Sequence, residues 1–150
     1  MAASLLATLV FLLDRASKIW IDQHMAVHES TPIIPSVLHL TYIQNPGGAF
    51  GLFSSYPSLF VVANILILLL LLYIYRISGP HRSRIFSIAS GCLIGGALGN
   101  SVDRILYGTV IDFLDFRIWP VFNVADIAIV IGAGLLAYYL YQEACQVKED

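Results

Sequence analysis

Residues 59–75, LFVVANILILLLLLYIY, run as an apolar stretch with one polar interruption, Asn64. A bilayer core takes about 20 mostly apolar residues of helix, so this stretch reads as a membrane span. Working outward, residues 85–105 make a second apolar segment, opening IFSIASGCLIGGALGNSV and rich in small residues. Residues 123–141 make a third, built on VADIAIVIGAGLLAYYLY with Asp126 near its start. Residues 2–21 make a fourth, apolar to Leu13 and then broken by Asp14, Arg15 and Lys18. No Lys or Arg precedes position 15 and D-R-A-S-K follows the apolar run, so a retained helix is expected rather than a cleaved signal peptide.

Composition agrees. Of the 150 residues 58% are apolar and 12% charged, whereas a soluble domain is about 25% charged. The apolar excess rules out a disordered chain. A net charge of −2 with eight Lys plus Arg leaves no basic surface for nucleic acid. Cys92 and Cys145 stand apart, outside any CxxC or Cys/His cluster, so neither a disulfide framework nor a zinc site is expected. His24 and His28 are four apart but no acidic residue has ligand spacing; no metal and no cofactor are expected. The fold class is therefore an all-α integral membrane protein of one domain, residues 1–150, with four transmembrane helices.

Orientation follows from the loops. Residues 76–84, RISGPHRSR, hold Arg76, Arg82 and Arg84, while residues 22–58 hold no Lys or Arg. The positive-inside rule puts the basic loop and both termini in the cytoplasm, and 22–58 outside. The outer segments are more than linkers. Residues 36–44, SVLHLTYIQ, alternate like a half-buried strand, and Asn45-Pro46-Gly47-Gly48 is a turn signal. Residues 110–118 and 119–122 read as extended chain, and Ser55-Tyr56-Pro57 as the entry to the second span. A small extracytoplasmic β-platform is the reading.

An ionisable residue at membrane depth costs about 2.5–3.5 kcal/mol on insertion scales, so each needs a reason. This topology brings Asp14, Asp103, Asp112 and Asp126 to one membrane face. Asp14 and Lys18 have the spacing of a helical ion pair, and Arg104 is expected to pair with a carboxylate. Asp126 lies among apolar neighbours and must be shared, protonated or paired. Asp115 is expected on the same strand face as Asp112, wet. Two carboxylates together in low dielectric hold one proton between them, the arrangement of aspartic proteolysis. Gly91, Gly95 and Gly99 are spaced for close helix packing. Asn45 either caps its turn or meets a substrate backbone.

Five motifs in order then resemble a known family. Asp14-x-x-x-Lys18, Asn45-Pro-Gly-Gly-Ala-Phe50, Gly99-Asn-x-x-Asp103-Arg104, Val-Ile-Asp112-Phe and Phe122-Asn-x-Ala-Asp126 are similar to those of the bacterial lipoprotein signal peptidases, signal peptidase II. The resemblance runs from Leu13 to about Ile131. Pro46 departs from it, since threonine or arginine is more usual after the asparagine. It implies an aspartic endopeptidase of the bacterial inner membrane, cutting prolipoproteins on the N-terminal side of the diacylglyceryl-modified cysteine and sensitive to globomycin. By motif, Asp112 and Asp126 are the implied catalytic pair. Asn45, Asn100, Arg104 and Asn123 are implied to position substrate; Asp14, Lys18 and Asp103 are implied to hold the site's architecture. The rival class, a proton-coupled transporter, calls for acidic residues staggered through the bilayer. Here they gather at one end, and the inner halves of the last three spans hold none. A purely structural membrane subunit leaves the convergence of five polar motifs unexplained.

Overall fold

The computed structural model describes residues 2–47, 58–77 and 83–146. All four predicted helices are present: α1 (Ala2–His24), α2 (Ser58–Ile77), α3 (Arg84–Tyr107) and α4 (Val124–Gln146). By length and apolarity α3 and α4 are fit to cross a membrane; the described apolar run of α2, Val62–Ile77, is shorter, and α1 carries charge in its second half. Three strands, β1 (Ser30–Ile34), β2 (Leu38–Asn45) and β3 (Val110–Asp115), form one antiparallel sheet in the order β1-β2-β3.

The small residues of α3 explain its central place. A Cβ on Gly91 would lie 2.9 Å from the Ala3 carbonyl oxygen, and one on Gly95 2.6 Å from that of Ala7. On the other side, a Cβ on Gly96 would lie 2.5 Å from the Ala125 oxygen, and Gly132 of α4 receives Leu93. Helices without side chains at the crossing approach closely and gain dispersion contacts, the main adhesive where lipid and leucine are equally apolar. The glycine stripe read as packing thus faces α1. α2 leans chiefly on α3 and turns Leu66, Leu69 and Leu72 outward.

The end of α3 sets up the site. Gly108 takes the left-handed conformation (φ 74°) and its N–H donates to the Arg104 carbonyl at 3.1 Å, a glycine helix stop. The chain then reverses into β3, so Asp112 lands beside the helix ends. The backbone of Phe122 pairs with Leu114 and Phe113, which brings the start of α4 against β3. Of the expected extended segment 119–122, only Phe122 forms a bridge.

The sheet rests on the C-terminal end of α1 through Ile21, Tyr42, Ile111 and Phe113. Tyr42 is buried and its hydroxyl donates to Asp22 at 2.6 Å. The predicted strand at 36–44 begins two residues later, because Ser36 has φ 63° in the β1–β2 turn. The Ser55-Tyr56-Pro57 entry, Arg82 and Gly48 of the turn after Asn45 lie outside the described residues.

One expectation fails here. Asp115 does not share a face with Asp112. β3 is regular, so side chains three apart point to opposite sides; the register shift falls in β2, between Leu40 and Ile43. Asp115 is buried rather than wet, accepting from the Thr41 hydroxyl at 2.7 Å and the Arg117 N–H at 2.8 Å. Burial raises its carboxyl, yet these donors and the Arg117 guanidinium leave it below the ordinary value.

Candidate active site

Four charged side chains knit α1 to α3. Lys18 Nζ lies 2.8 Å from Asp14 Oδ2 and 2.8 Å from Asp103 Oδ2, with all three side chains at 0% exposure. Arg15 bonds Asp103 Oδ1 from the other side. Two cations therefore balance two carboxylates within one cluster. Asp14 Oδ1 also accepts the N–H of Ala125, which ties α4 to the pair at 3.0 Å. Gly99 packs on Asp14 so closely that a Cβ there would overlap the carboxylate. Arg15 has no assigned role in the sequence reading; its break in the apolar run of residues 2–21 is its signal.

The remaining carboxylates, Asp112 and Asp126, make no ion pair among the described residues. Amides hold them instead. Asp112 Oδ2 accepts from Asn45 Nδ2 at 2.8 Å, and Oδ1 from Asn123 Nδ2 at 2.6 Å. Asp126 Oδ1 accepts from Asn100 Nδ2 at 2.8 Å. Asn123 and Asp126 also cap α4 reciprocally: Asp126 N–H donates to Asn123 Oδ1 at 2.9 Å, and Asn123 N–H to Asp126 Oδ2 at 3.2 Å. Asn-Val-Ala-Asp is thus a capping box in the sense of a polar N-cap and an acidic residue three on. Asn100 joins the two clusters, since its Oδ1 accepts from Lys18 Nζ at 2.8 Å.

Asn45, Asn100, Asp112 and Asp126 line a cleft of about 370 Å³ between α2, α3, α4 and the 119–122 segment. Asp112 is 3% exposed. Burial, and next the charge of Asp126, push its carboxyl up to about 7, against the opposing hydrogen bonds from Asn45 and Asn123.

Arg104 corrects the sequence reading. It pairs with no carboxylate among the described residues; Arg15 and Lys18 already occupy Asp103. Its guanidinium sits over the Phe60 ring at 4.1 Å, one nitrogen donates to the Asn100 carbonyl at 3.3 Å, and Nε is buried without a partner. A cation on an aromatic face keeps its charge while facing the cleft. Asn45 caps its turn, its Oδ1 accepting the Gly47 N–H at 2.9 Å, and its amide supports Asp112, a contact the sequence reading did not foresee.

Sequence reasoning missed the role of Asn64, although it marked the residue. Its amide donates to Ser101 Oγ at 2.6 Å, tying α2 to α3 at the edge of the cleft. Interhelical hydrogen bonds of this kind are worth about 1 kcal/mol. Asn64→Leu should lower stability by about that much and raise KM severalfold as the wall formed by α2 loosens. Thermal unfolding in detergent and steady-state kinetics check both, and an unchanged KM would show that the α2 wall does not depend on this bond.

Comparison with known proteins gives the family. Residues 6–142 match the family model described as signal peptidase (SPase) II. The chain belongs to the signal peptidase II family. It is 49% identical over 136 residues to a lipoprotein signal peptidase of Halothermothrix orenii, covering 90% of this chain and 92% of that one. It is 46% identical over 136 residues to one of Moorella thermoacetica, at 91% and 90% coverage. A solved structure described as a bacterial membrane enzyme, obtained by the in meso method at 2.3 Å resolution, superposes with TM-score 0.86 at 34% identity over 99% of this chain and 92% of that one. The activity of the chain is that of its family, an aspartic signal peptidase acting in a membrane.

Proposed function

We propose that Asp112 and Asp126 are the catalytic pair, and that the whole chain works as one domain that removes signal peptides from prolipoproteins. Cleavage falls on the N-terminal side of the diacylglyceryl-modified cysteine. The observation that carries this reading is the sorting of charge. Arg15 and Lys18 are consumed by Asp14 and Asp103, so Asp112 and Asp126, held by amides and in no ion pair among the described residues, share one proton.

That proton starts on Asp112. Ionised Asp126 takes a proton from water, the water oxygen attacks the scissile carbonyl carbon, and Asp112 gives its proton to the carbonyl oxygen. Collapse of the tetrahedral intermediate then passes a proton from Asp126 to the departing amine, and Asp112 recovers its own. Asn45, Asn100 and Asn123 hold the carboxylates in place through the hydrogen bonds described, and Arg104 faces the substrate backbone. Asp14, Lys18 and Asp103 keep α1, α3 and α4 in register beneath them.

All four helices cross the bacterial cytoplasmic membrane in this reading. Arg76 and Arg84 mark the cytoplasmic side together with both termini, and the carboxylates lie at the extracytoplasmic face. A site at that level accepts a substrate whose signal peptide is a membrane helix and whose lipid stays in the bilayer. Membrane lipid and globomycin, an inhibitor that resembles the cut peptide, complete the expected partners.

The direct test compares a diacylglyceryl-modified prolipoprotein with its unmodified form, using the purified protein in detergent. Only the modified form should be cut, leaving cysteine at the new N-terminus. Equal cleavage of both forms would sink the lipid requirement. The rate should also depend on pH with a definite sign. A carboxyl raised to about 7 is protonated below that pH and loses its proton above it. Since Asp112 must start protonated, kcat/KM should fall about tenfold per pH unit on the alkaline side; a flat profile from pH 6 to 9 would exclude Asp112 as the acid.

A further inference from the structure

A second and larger cavity, about 700 Å³, lies at the other end of the α2–α3 seam, bounded by α1. That volume is within the range of ligand pockets. Its walls include Ser4 and Thr8 of α1, Leu71 and Tyr75 of α2, and Ser87 and Ser90 of α3. The hydroxyl residues lie one helical turn apart on each of two helices. Ser90 is 6% exposed, and its Oγ has no hydrogen-bond partner. A buried hydroxyl in hydrocarbon surroundings calls for an acceptor.

Two arginines stand at the same end of these helices, beyond the lining residues. Arg76 is in the last turn of α2, one turn beyond Leu72; Arg84 opens α3, one turn before Ser87. Both are exposed, and neither makes an ion pair among the described residues. Along α3, Arg84 and Ser90 are separated by about 9 Å of helix rise. The polar layer on one side of a bilayer is about 5–8 Å deep, so cation and hydroxyl stand at the levels of a lipid phosphate and of its glycerol esters.

We infer that this cavity binds an anionic glycerophospholipid, with the phosphate at Arg76 and Arg84, an ester carbonyl accepting from Ser90, and an acyl chain along the leucines of α2. Apolar contact alone cannot select it, because the bilayer offers the same contact everywhere. The hydroxyls and guanidinium groups make the difference. The bound lipid fills the gap between α1 and α2, so α2 is held at one end by Asn64 and at the other by lipid.

The test is photo-crosslinking of the full-length protein in phosphatidylcholine nanodiscs doped with phosphatidylglycerol that carries a diazirine near the acyl ester. Adducts should map to Leu71, Tyr75 and Ser90 rather than to outward-facing Leu66 and Leu69. Arg76→Gln and Arg84→Gln should each cut the cavity adducts about fivefold. Ser90→Leu, which fills the space, should abolish them, with lipoprotein turnover intact because none of these residues lies in the carboxylate cleft. Equal labelling of Leu66 and Leu69 would overturn the site, and equal labelling by the same diazirine on phosphatidylcholine would overturn its preference for anionic lipid. Should Ser90→Leu fail to fold, the two surface arginine variants still decide the question.

Discussion

Asp112→Asn and Asp126→Asn should each lower kcat by about four orders of magnitude, the upper range for loss of a proton-transfer group, with KM little changed. The substitution keeps shape and removes the exchangeable proton. The cost to folding is small for a reason visible in the site. Asparagine at 112 keeps one acceptor for Asn45 or Asn123 and turns its own amide toward the other, losing about one hydrogen bond. Like the protonated Asp112 it replaces, it places no negative charge next to Asp126. The Asp112→Asn variant should therefore unfold near the wild-type temperature at pH 6. Its stability relative to wild type should improve as pH rises from about 4 to about 7 and level off above, because wild-type Asp112 must hold a proton that the unfolded chain has lost. Single-turnover cleavage beside thermal unfolding across this pH range measures this. A folded Asp112→Asn protein that retains a tenth or more of wild-type kcat would remove Asp112 from the pair.

Lys18→Met carries the largest expected stability effect. The ammonium is shared by Asp14, Asp103 and Asn100, all buried. Deleting it leaves Asp14 without a cation, while Asp103 keeps Arg15. Breaking a buried pair from one side typically costs about 3–5 kcal/mol, because the surviving charge stays desolvated. The double variant Lys18→Met, Asp14→Asn should recover much of that loss, since the stranded charge goes with it. Activity should not recover in the double variant, because Asn100 still lacks the donor that orients its amide toward Asp126. Denaturation midpoints for the single and double variants supply the cycle. A single variant as stable as wild type would mean that Lys18 contributes no net stabilisation.

Much of this was legible before any coordinates. The helices announced themselves because apolar runs of this length have few alternatives, and α1 merely continues to His24 past the expected residue 21. β2 was visible through alternation. β1, Ser-Thr-Pro-Ile-Ile, was not: it is five residues long, contains proline and is exposed throughout, so no buried face imposes a pattern. Asp126 stood out because a carboxyl among apolar residues demands partners; which partners was not legible. Arg104 sits next to Asp103 in sequence, yet Arg15, 88 residues away, takes that carboxylate. Pairing across such a distance depends on how three helices pack, and a linear pattern does not encode it. The same limit hid Ser101 as the partner of Asn64.

The ionic knot between α1 and α3 also bears on how the chain enters the membrane. Asp14, Arg15 and Lys18 emerge within the first helix, but the Asp103 that neutralises Arg15 is made 88 residues later. Until then, in the four-span topology proposed above, the helix carries an unmatched positive charge into hydrocarbon, at a cost of about 2.5–3.5 kcal/mol. The economical course during synthesis keeps the charged outer half of α1 at the wet interface or in the insertion machinery. α3 then arrives with Gly99 and Asp103, and the segment slides home against it. Assembly of the knot is thus a late checkpoint in biogenesis: the carboxylate cleft acquires its floor only after the third helix has been made.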